Sequence, residues 1–546
     1  MPTLHWIGKE KVINHHMDVP FKVLEHSYGF DNGQQTQTET KSGNKIIHGD
    51  NLEGLKTLLP EYEGQIKCIY IDPPYNTGNE SWVYNDNVND PKIKKWLGQV
   101  VGKEAEDLTR HDKWLCMMYP RLKLLHKLLA DDGAIFISID KNEEANLKLI
   151  CDEIFGTSNF ISNVAVVNNL KGRSDDKFIA TAHESLMIFQ KGKFTTNGVP
   201  VPEEYIDDYK LKDELGSYRL QGLRKRGSGA KREDRPNMYY PFYYNETSKI
   251  LSLTKNSDND IEILPKLSDG TDGRWRWGKD TAIERINELT TQTVKGRNEF
   301  DVFQKDYLSK DGENKTIKPK SFWLGSEFSS EAGTLQLKKI FEQKTFQTPK
   351  SVDFIEYCLY QATDKNSIVI DSFAGSGTTA HAVLNLNKKD SGNRKFILIE
   401  MEEYSDNITA ERVKRAINGY NSTEGTGGSF DFYELGQPLF NEDGNLNETV
   451  GVEKIRQYVY YTETKSAFSE TQHTDNKHFL GKHNDTAYYF NYDKDEVTTL
   501  DHAFLATMKT KAEQYVIYAD NCLLTKDFMT KHHIIFKKIP RDITRF

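Results

Sequence analysis

Cysteine is scarce in this chain. Its five residues (Cys68, Cys116, Cys151, Cys358 and Cys522) are scattered and form no C-x-x-C pair. Neither a disulfide framework nor a structural zinc site is therefore encoded, and reduced thiols are expected. No apolar run approaches the roughly 18–20 residues that cross a bilayer. The opening MPTLHWIGKEKVINHH lacks the apolar stretch of a signal peptide, so a cytoplasmic protein with no membrane contact is expected. There is no internal repeat and no helicase motif. The formal net charge of -9 excludes only a uniformly basic surface, because a local basic face is what matters for nucleic acid.

A chain of 546 residues exceeds one ordinary core, and several domains are expected. Through position 44 it reads as an N-terminal arm that ends in the polar stretch DNGQQTQTETKSGN, a linker or exposed loop. Strand and helix patterns then alternate: KIIHGD, NLEGLKTLL, IKCIYID, HDKWLCMMYPRLKLLHKLLA, DGAIFISID and EEANLKLICDEIF. That order predicts an α/β, doubly wound parallel sheet covered on both faces. Across 163–330 the alternation loosens. It resumes with SVDFIEYCLYQAT, SIVIDSFAGSGTTAHAVLNLN and RKFILIE. The expected organisation is one sheet domain in two halves, 45–162 and 331–424, interrupted by an insertion at 163–330. A C-terminal α+β region follows over 425–546.

Two motifs carry chemistry. Asp72-Pro73-Pro74-Tyr75 follows the apolar strand IKCIYID, at the sheet edge where open α/β folds bind ligands. An exocyclic amine on a nucleobase is a poor nucleophile because its lone pair is delocalised into the ring. A carboxylate accepting one N–H and a backbone carbonyl accepting the other localise that pair, so that it can attack a methyl sulfonium. Asp72 supplies the carboxylate, and the peptide before Pro74 a carbonyl whose orientation the ring restricts. Tyr75 offers a face on which a flipped-out base stacks. The bland reading is a turn that ends a strand.

The second motif, Asp371-Ser372-Phe373-Ala374-Gly375-Ser376-Gly377-Thr378-Thr379, links a strand to a helix. Gly375 and Gly377 permit a tight turn and close approach by a ligand. No lysine follows them, so this is not a P-loop. Glu400 ends the next strand, where an acidic residue hydrogen-bonds a ribose. Taken alone, the turn also reads as merely structural.

These motifs, in this order, resemble the β-class of DNA amino-methyltransferases. YIDPPYNTGNE, MMYPRLKLLHKLLADDGAIFISID, RPNMYYPFYYN, GRWRWGKD and FAGSGTTAHAVLNLNKKDSGNRKFILIE resemble modification (Mod) subunits of Type III restriction–modification systems. The resemblance implies S-adenosyl-L-methionine as cofactor and adenine N6 in double-stranded DNA as target. It further implies a homodimer and a Res helicase–nuclease partner. Asp72, Pro73, Pro74 and Tyr75 hold and activate the base. Phe373, Gly375 and Gly377 pack on the cofactor's methionine end with Thr378 and Thr379 close by, Asp371 and Ala374 belong to the same cofactor-binding turn, and Glu400 binds the ribose and Asp50 lies near the adenine amine. Lys350 matches the family's cofactor-side P-K-P element, which here reads Pro349-Lys350-Ser351. The 163–330 insertion becomes a target-recognition region, and 425–546 a dimerisation or partner contact. N4-methylation of cytosine, or a recognition scaffold for the helicase–nuclease, are the alternatives.

Within the insertion, Arg219, Arg224, Lys225, Arg226, Lys231, Arg232 and Arg235 crowd one polar stretch beside YYPFYY. They are candidates for phosphate contacts, against the alternative of a solvated charge run. Arg274-Trp275-Arg276-Trp277 is either a second such surface or packed core. His183-Glu184 lacks a second histidine at helical spacing and reads as structural, and Glu342-Gln343-Lys344 is too short to mark a nuclease. No metal is expected.

Overall fold

In β4 (Ile66–Ile71) alternate side chains leave opposite faces of the strand. Ile69 and Ile71 enter one apolar core, Cys68 and Tyr70 another. That two-sided burial makes the strand an interior one. The computed structural model describes residues 3–77, 91–100, 109–172, 176–294, 299–310, 312–468, 475–540 and 543. It divides into two units, Met1–Asn197 with Pro319–Phe546, and Gly198–Lys318.

The first unit is built on an eleven-stranded sheet. With β4, its strands are β1 (Lys22–Asp31), β2 (Gln34–Thr36), β3 (Lys45–His48), β5 (Leu129–Ile139), β6 (Phe160–Val167), β7 (His183–Gln190), β8 (Phe322–Trp323), β9 (Ile368–Asp371), β10 (Lys395–Glu400) and β11 (Ser429–Pro438). Their spatial order is β8-β6-β7-β5-β4-β9-β10-β3-β11-β1-β2. From β5 to β11 all neighbours are parallel, while β7 and β1 add antiparallel at the two sides. Helices α1 (Asn51–Tyr62), α2 (Arg110–Leu128) and α3 (Glu144–Phe155) pack apolar stripes into the core on one face. On the other lie α5 (Val352–Ala362), α6 (Thr378–Asp390) and α7 (Glu411–Asn418), with α4 (Ser330–Phe341) preceding them. This is the doubly wound arrangement that the alternating pattern predicts.

The structure departs from the expected boundaries in three places. The polar stretch after β1 is a hairpin rather than a linker: Asn32 and Gly33 both have positive φ, 46° and 85°, which suits a tight Asn-Gly hairpin turn. β1 and β11 join the main sheet, and the rings of Tyr28 and Phe432 stack at 5.1 Å. The arm and the start of the C-terminal region therefore belong to the sheet domain. Third, β6, β7 and β8 fall inside 163–330 wholly or in part. The apolar run SLMIF in β7 is buried throughout, so that segment is sheet core and the compact insertion is the narrower Gly198–Lys318.

Farther along the first unit, α8 (Val452–Thr464) packs with a mixed sheet of Phe479–His483, Thr486–Phe490, Gln514–Ala519 and Ile534–Lys538. This is the expected α+β region. The second unit has its own core of Leu223, Tyr240, Phe242, Trp275 and Val302, beneath a four-stranded and a three-stranded antiparallel sheet. No helix among the described residues is long and apolar enough to cross a membrane.

Candidate active site

Four neighbouring parallel strands, in the order β4-β9-β10-β3, deliver four carboxylates to one edge of the sheet. Asp72 follows β4, Asp371 and Glu400 end β9 and β10, and Asp50 lies just beyond β3. The carboxyl ends of parallel strands are where such sheets bind ligands.

The glycine turn between β9 and α6 is held from several sides. Gly375 and Gly377 have φ of 52° and 78°, left-handed values that favour glycine. A Cβ on Gly377 would lie 2.9 Å from the Thr409 carbonyl oxygen. Gly375 N donates to Glu400 Oε2 at 2.7 Å, and Thr409 Oγ1 to Gly375 O at 2.6 Å. Asp371 accepts from Phe373 N at 3.0 Å and from Thr379 Oγ1 at 2.6 Å. Ala374 N donates to Ile399 O, and the fully buried Arg412 donates to Ser376 Oγ and Thr378 Oγ1. Burial pushes the carboxyls of Asp371 and Glu400 up to about 7 each, because a desolvated carboxylate favours its neutral form.

Asp50 caps α1, its Oδ1 accepting from Leu52 N at 2.8 Å and Glu53 N at 3.2 Å. Its Oδ2 meets Arg121 Nη2 at 3.3 Å. Arg121 also donates to Asn51, which in turn donates to Ser372 O. The cap of α1 and the glycine turn are thus one hydrogen-bonded assembly.

At Asp72-Pro73-Pro74-Tyr75, the buried Trp114 of α2 donates Nε1–H to Pro74 O at 2.7 Å. Lys350 Nζ lies 2.7 Å from Tyr75 Oη, 2.5 Å from Glu184 Oε1 and 3.6 Å from Asp72 Oδ1. Tyr75 donates to Glu184 Oε2 at 3.0 Å, and Asn168 Nδ2 to the same oxygen at 3.3 Å. Burial pushes the Asp72 carboxyl up, Lys350 opposes that, and Glu184 adds to it. Lys350 is held above its ordinary range: burial pulls it down, but Asp72 and Glu184 outweigh burial.

The structure brings Asp50, Asp72, Pro73, Pro74, Tyr75, Asp371, Phe373, Ala374, Gly375, Gly377, Thr378, Thr379 and Glu400 to the same sheet edge. Lys350 straddles the two motifs. Its carbonyl accepts from Thr378 Oγ1 at 3.3 Å, whereas its ammonium sits with Asp72 and Tyr75. Glu184, Trp114, Asn168 and Arg412 were not singled out as site residues by sequence reasoning. The signal for Glu184 is the His183-Glu184 pair, which reads as structural for want of a second histidine; in the structure it opens the otherwise apolar β7. Gly78, Asn79 and Glu80 of the first motif string lie outside the described residues.

The seven basic candidates all lie in the second unit. Arg219 is paired with Asp306 at 2.9 Å and Asp208 at 3.2 Å, Arg224 with Asp301 at 3.8 Å, and Arg232 with Asp272 at 3.0 Å. Lys231 meets Glu233 at 3.4 Å. Lys225, Arg226 and Arg235 make no ion pair among the described residues, and the last two are exposed. Trp275 is wholly buried, its Nε1–H on Tyr240 O, and Arg276 Nη2 donates to Gln304. Of the Arg-Trp repeat, Trp275 is therefore packed core, while Arg274, Arg276 and Trp277 are half-buried around it.

A family model described as DNA methylase, of the N6/N4 methyltransferases, matches residues 66–411. The chain is 36% identical over 422 residues to the Type III restriction-modification enzyme EcoPI Mod subunit of Escherichia phage P1, covering 73% of this chain but only 64% of that protein. It is 36% identical over 392 residues to the Type II methyltransferase M.KpnI of Klebsiella pneumoniae, covering 69% of this chain and 85% of that one. Among solved structures, the cytosine-N4-specific PvuII DNA methyltransferase aligns over 68% of this chain and 86% of its own, at 13% identity and a TM-score of 0.32.

Proposed function

Because the chain belongs to the N6/N4 family of DNA methylases, we propose that it transfers a methyl group from S-adenosyl-L-methionine to adenine N6 at a specific site in duplex DNA. We assign it the modification and specificity role of a Type III restriction–modification system, as a homodimer that partners a Res helicase–nuclease. The observation that carries this reading is Asp72 beside the Asp371–Thr379 turn on adjacent parallel strands. An amine-activating carboxylate and a nucleoside-binding turn share one edge.

The residues fit the cofactor. Two glycines at positive φ open the backbone of the turn, and the buried Glu400 presents a carboxylate to a ribose hydroxyl. Ser372 Oγ is buried there without a hydrogen bond among the described residues. Asp50 would accept from the adenine amine, and Phe373 would flank the methionine end. When bound, the cofactor supplies an electrophilic methyl on a sulfonium. Asp72 accepts one N–H of the flipped base, and the carbonyl before Pro74 accepts the other. Trp114 fixes the peptide that follows. As the N–C bond forms, the methyl–sulfur bond would break with its electron pair left on a neutral thioether, the amine nitrogen would gain positive charge, and Asp72 would take the proton it sheds. Tyr75 stacks on the base. Gly198–Lys318 is the recognition unit, where Lys225, Arg226 and Arg235 remain available to phosphates, and the 425–546 region serves dimer or partner contacts.

Single-molecule sequencing of DNA from cells expressing this chain, against an Asp72→Ala control, tests the reading. N6-methyladenine at one recurrent motif, absent from the control, is expected. N4-methylcytosine, or no modified base, overturns it.

A further inference from the structure

Asp72 has two requirements that conflict. To accept an N–H it must be ionised, and burial opposes ionisation. A nearby cation restores the anion but tends to close a direct ion pair and occupy the acceptor lone pairs. In the structure Lys350 Nζ stands off from Asp72 Oδ1 at 3.6 Å while making closer contacts to Glu184 at 2.5 Å and Tyr75 at 2.7 Å. Oδ1 is buried and makes no hydrogen bond among the described residues. Glu184 is itself anchored by Asn168 and Tyr75, and its side chain is 8% exposed.

We propose that Glu184 is a positioning residue which holds the Lys350 ammonium back from Asp72, so that Lys350 balances the Asp72 charge without a close ion pair and the carboxylate can still accept from the target amine. Lys350 then acts on the base-activating carboxylate, not on the cofactor. The same pair fixes the Tyr75 phenol from both sides, and with it the ring against which the base lies. This rests on the methyltransferase reading. The titratable groups facing Asp72 are Lys350 from the segment before α5, Glu184 from β7, Asp371 from β9, and Tyr70 and Tyr75 from its own strand and turn.

The test is the pH profile of single-turnover methylation of a duplex carrying the site, with wild type, Lys350→Met and Glu184→Gln, alongside calorimetric cofactor binding. Opposite charges at such separations move a carboxyl by about 1–3 pH units. Lys350→Met is expected to move the acidic limb to higher pH by about that much, because Asp72 keeps Glu184 as a neighbour and loses its cation. Glu184→Gln is expected to move the limb the other way and to cut the rate at the plateau at least tenfold, as the freed ammonium closes on Asp72. Both should bind cofactor as wild type does, and Glu184→Asp should recover part of the plateau rate. Should Lys350→Met leave two buried carboxylates and fail to fold, the acidward shift in Glu184→Gln still decides. Limbs that do not move, or cofactor affinity lost in place of rate, overturn the proposal. Wild-type protein that leaves every duplex adenine unlabelled overturns the underlying reading instead.

Discussion

Glu400 gives a quantitative handle on the cofactor side. Its carboxyl is buried, titrates near 7 in the free protein, and accepts from Gly375 N at 2.7 Å and Glu402 N at 3.1 Å. On the proposed reading a ribose hydroxyl donates to it, and far more strongly to its ionised form, so binding draws its proton affinity down and releases a proton. At pH 6 a group titrating near 7 is about 90% protonated and at pH 8 about 10%, so cofactor affinity at pH 6 is expected to fall roughly tenfold below that at pH 8. Glu400→Gln loses a charge-assisted bond worth about 1.5–3 kcal/mol, or roughly 10–100-fold in Kd, and flattens the pH dependence. Calorimetry from pH 5.5 to 8.5, in buffers of differing ionisation enthalpy, reads both the affinity and the proton count. Burial pushes the Asp371 carboxyl up to about 7 as well, and the Glu400→Gln variant separates the two contributions. A slope that persists undiminished in Glu400→Gln would refute the assignment, as would binding without proton release. The free protein should show the complementary trend. Both carboxyls hold protons more tightly folded than unfolded, so this contribution to stability is full below about pH 4 and is lost as pH rises through about 7. Cofactor offsets that loss.

Trp114→Phe leaves the Pro74 carbonyl without its indole donor. Its kcat is expected to fall about 10–100-fold with cofactor affinity unchanged, since small misplacements at a reacting centre cost that much, and steady-state kinetics with calorimetry separate the two. Gly377→Ala must adopt φ near 78° with its Cβ 2.9 Å from Thr409 O. A loss of at least ~1–2 kcal/mol is expected, seen as a lowered Tm together with weakened cofactor binding. In the second unit, Arg226→Ala and Arg235→Ala should each reduce the salt slope of DNA binding by about 0.9, measured by titration at several ionic strengths. Arg219→Ala should instead lower thermal stability, because Arg219 is spent on Asp306 and Asp208.

Legibility from the sequence followed the physics of each element. Strands buried on both faces, such as β4 and β10, announce themselves as continuous apolar runs, and the Asp72 and Asp371 motifs sit where such runs stop. The β1–β2 hairpin was missed because its polar composition outweighed the Asn32-Gly33 turn signal. β11 falls beyond the expected boundary at 424, because its alternating aromatics follow a glycine-rich stretch that reads as the start of a separate C-terminal region. The basic stretch 219–235 shows the limit of counting charge: at least three of its arginines meet acids supplied from Asp208, Asp272, Asp301 and Asp306, partners that only antiparallel pairing in that unit brings near.

Glu184 and Lys350 mark a deeper limit. Glu184 lies 109 positions from Tyr75 and 166 from Lys350 along the chain, and no local rule connects them. Their meeting depends on β7 entering antiparallel beside β5, which places the first residues of β7 at the same edge as the last residues of β4 and β5. Reverse that one strand and Glu184 moves to the opposite edge of the sheet, leaving Lys350 and Asp72 as a simple ion pair with no open acceptor. The antiparallel strand is therefore more than a way of ending a parallel sheet. It sets a further carboxylate beside the Asp72–Lys350 pair, and in the proposed mechanism a readable motif such as Asp-Pro-Pro-Tyr depends on a residue whose position is set by topology alone.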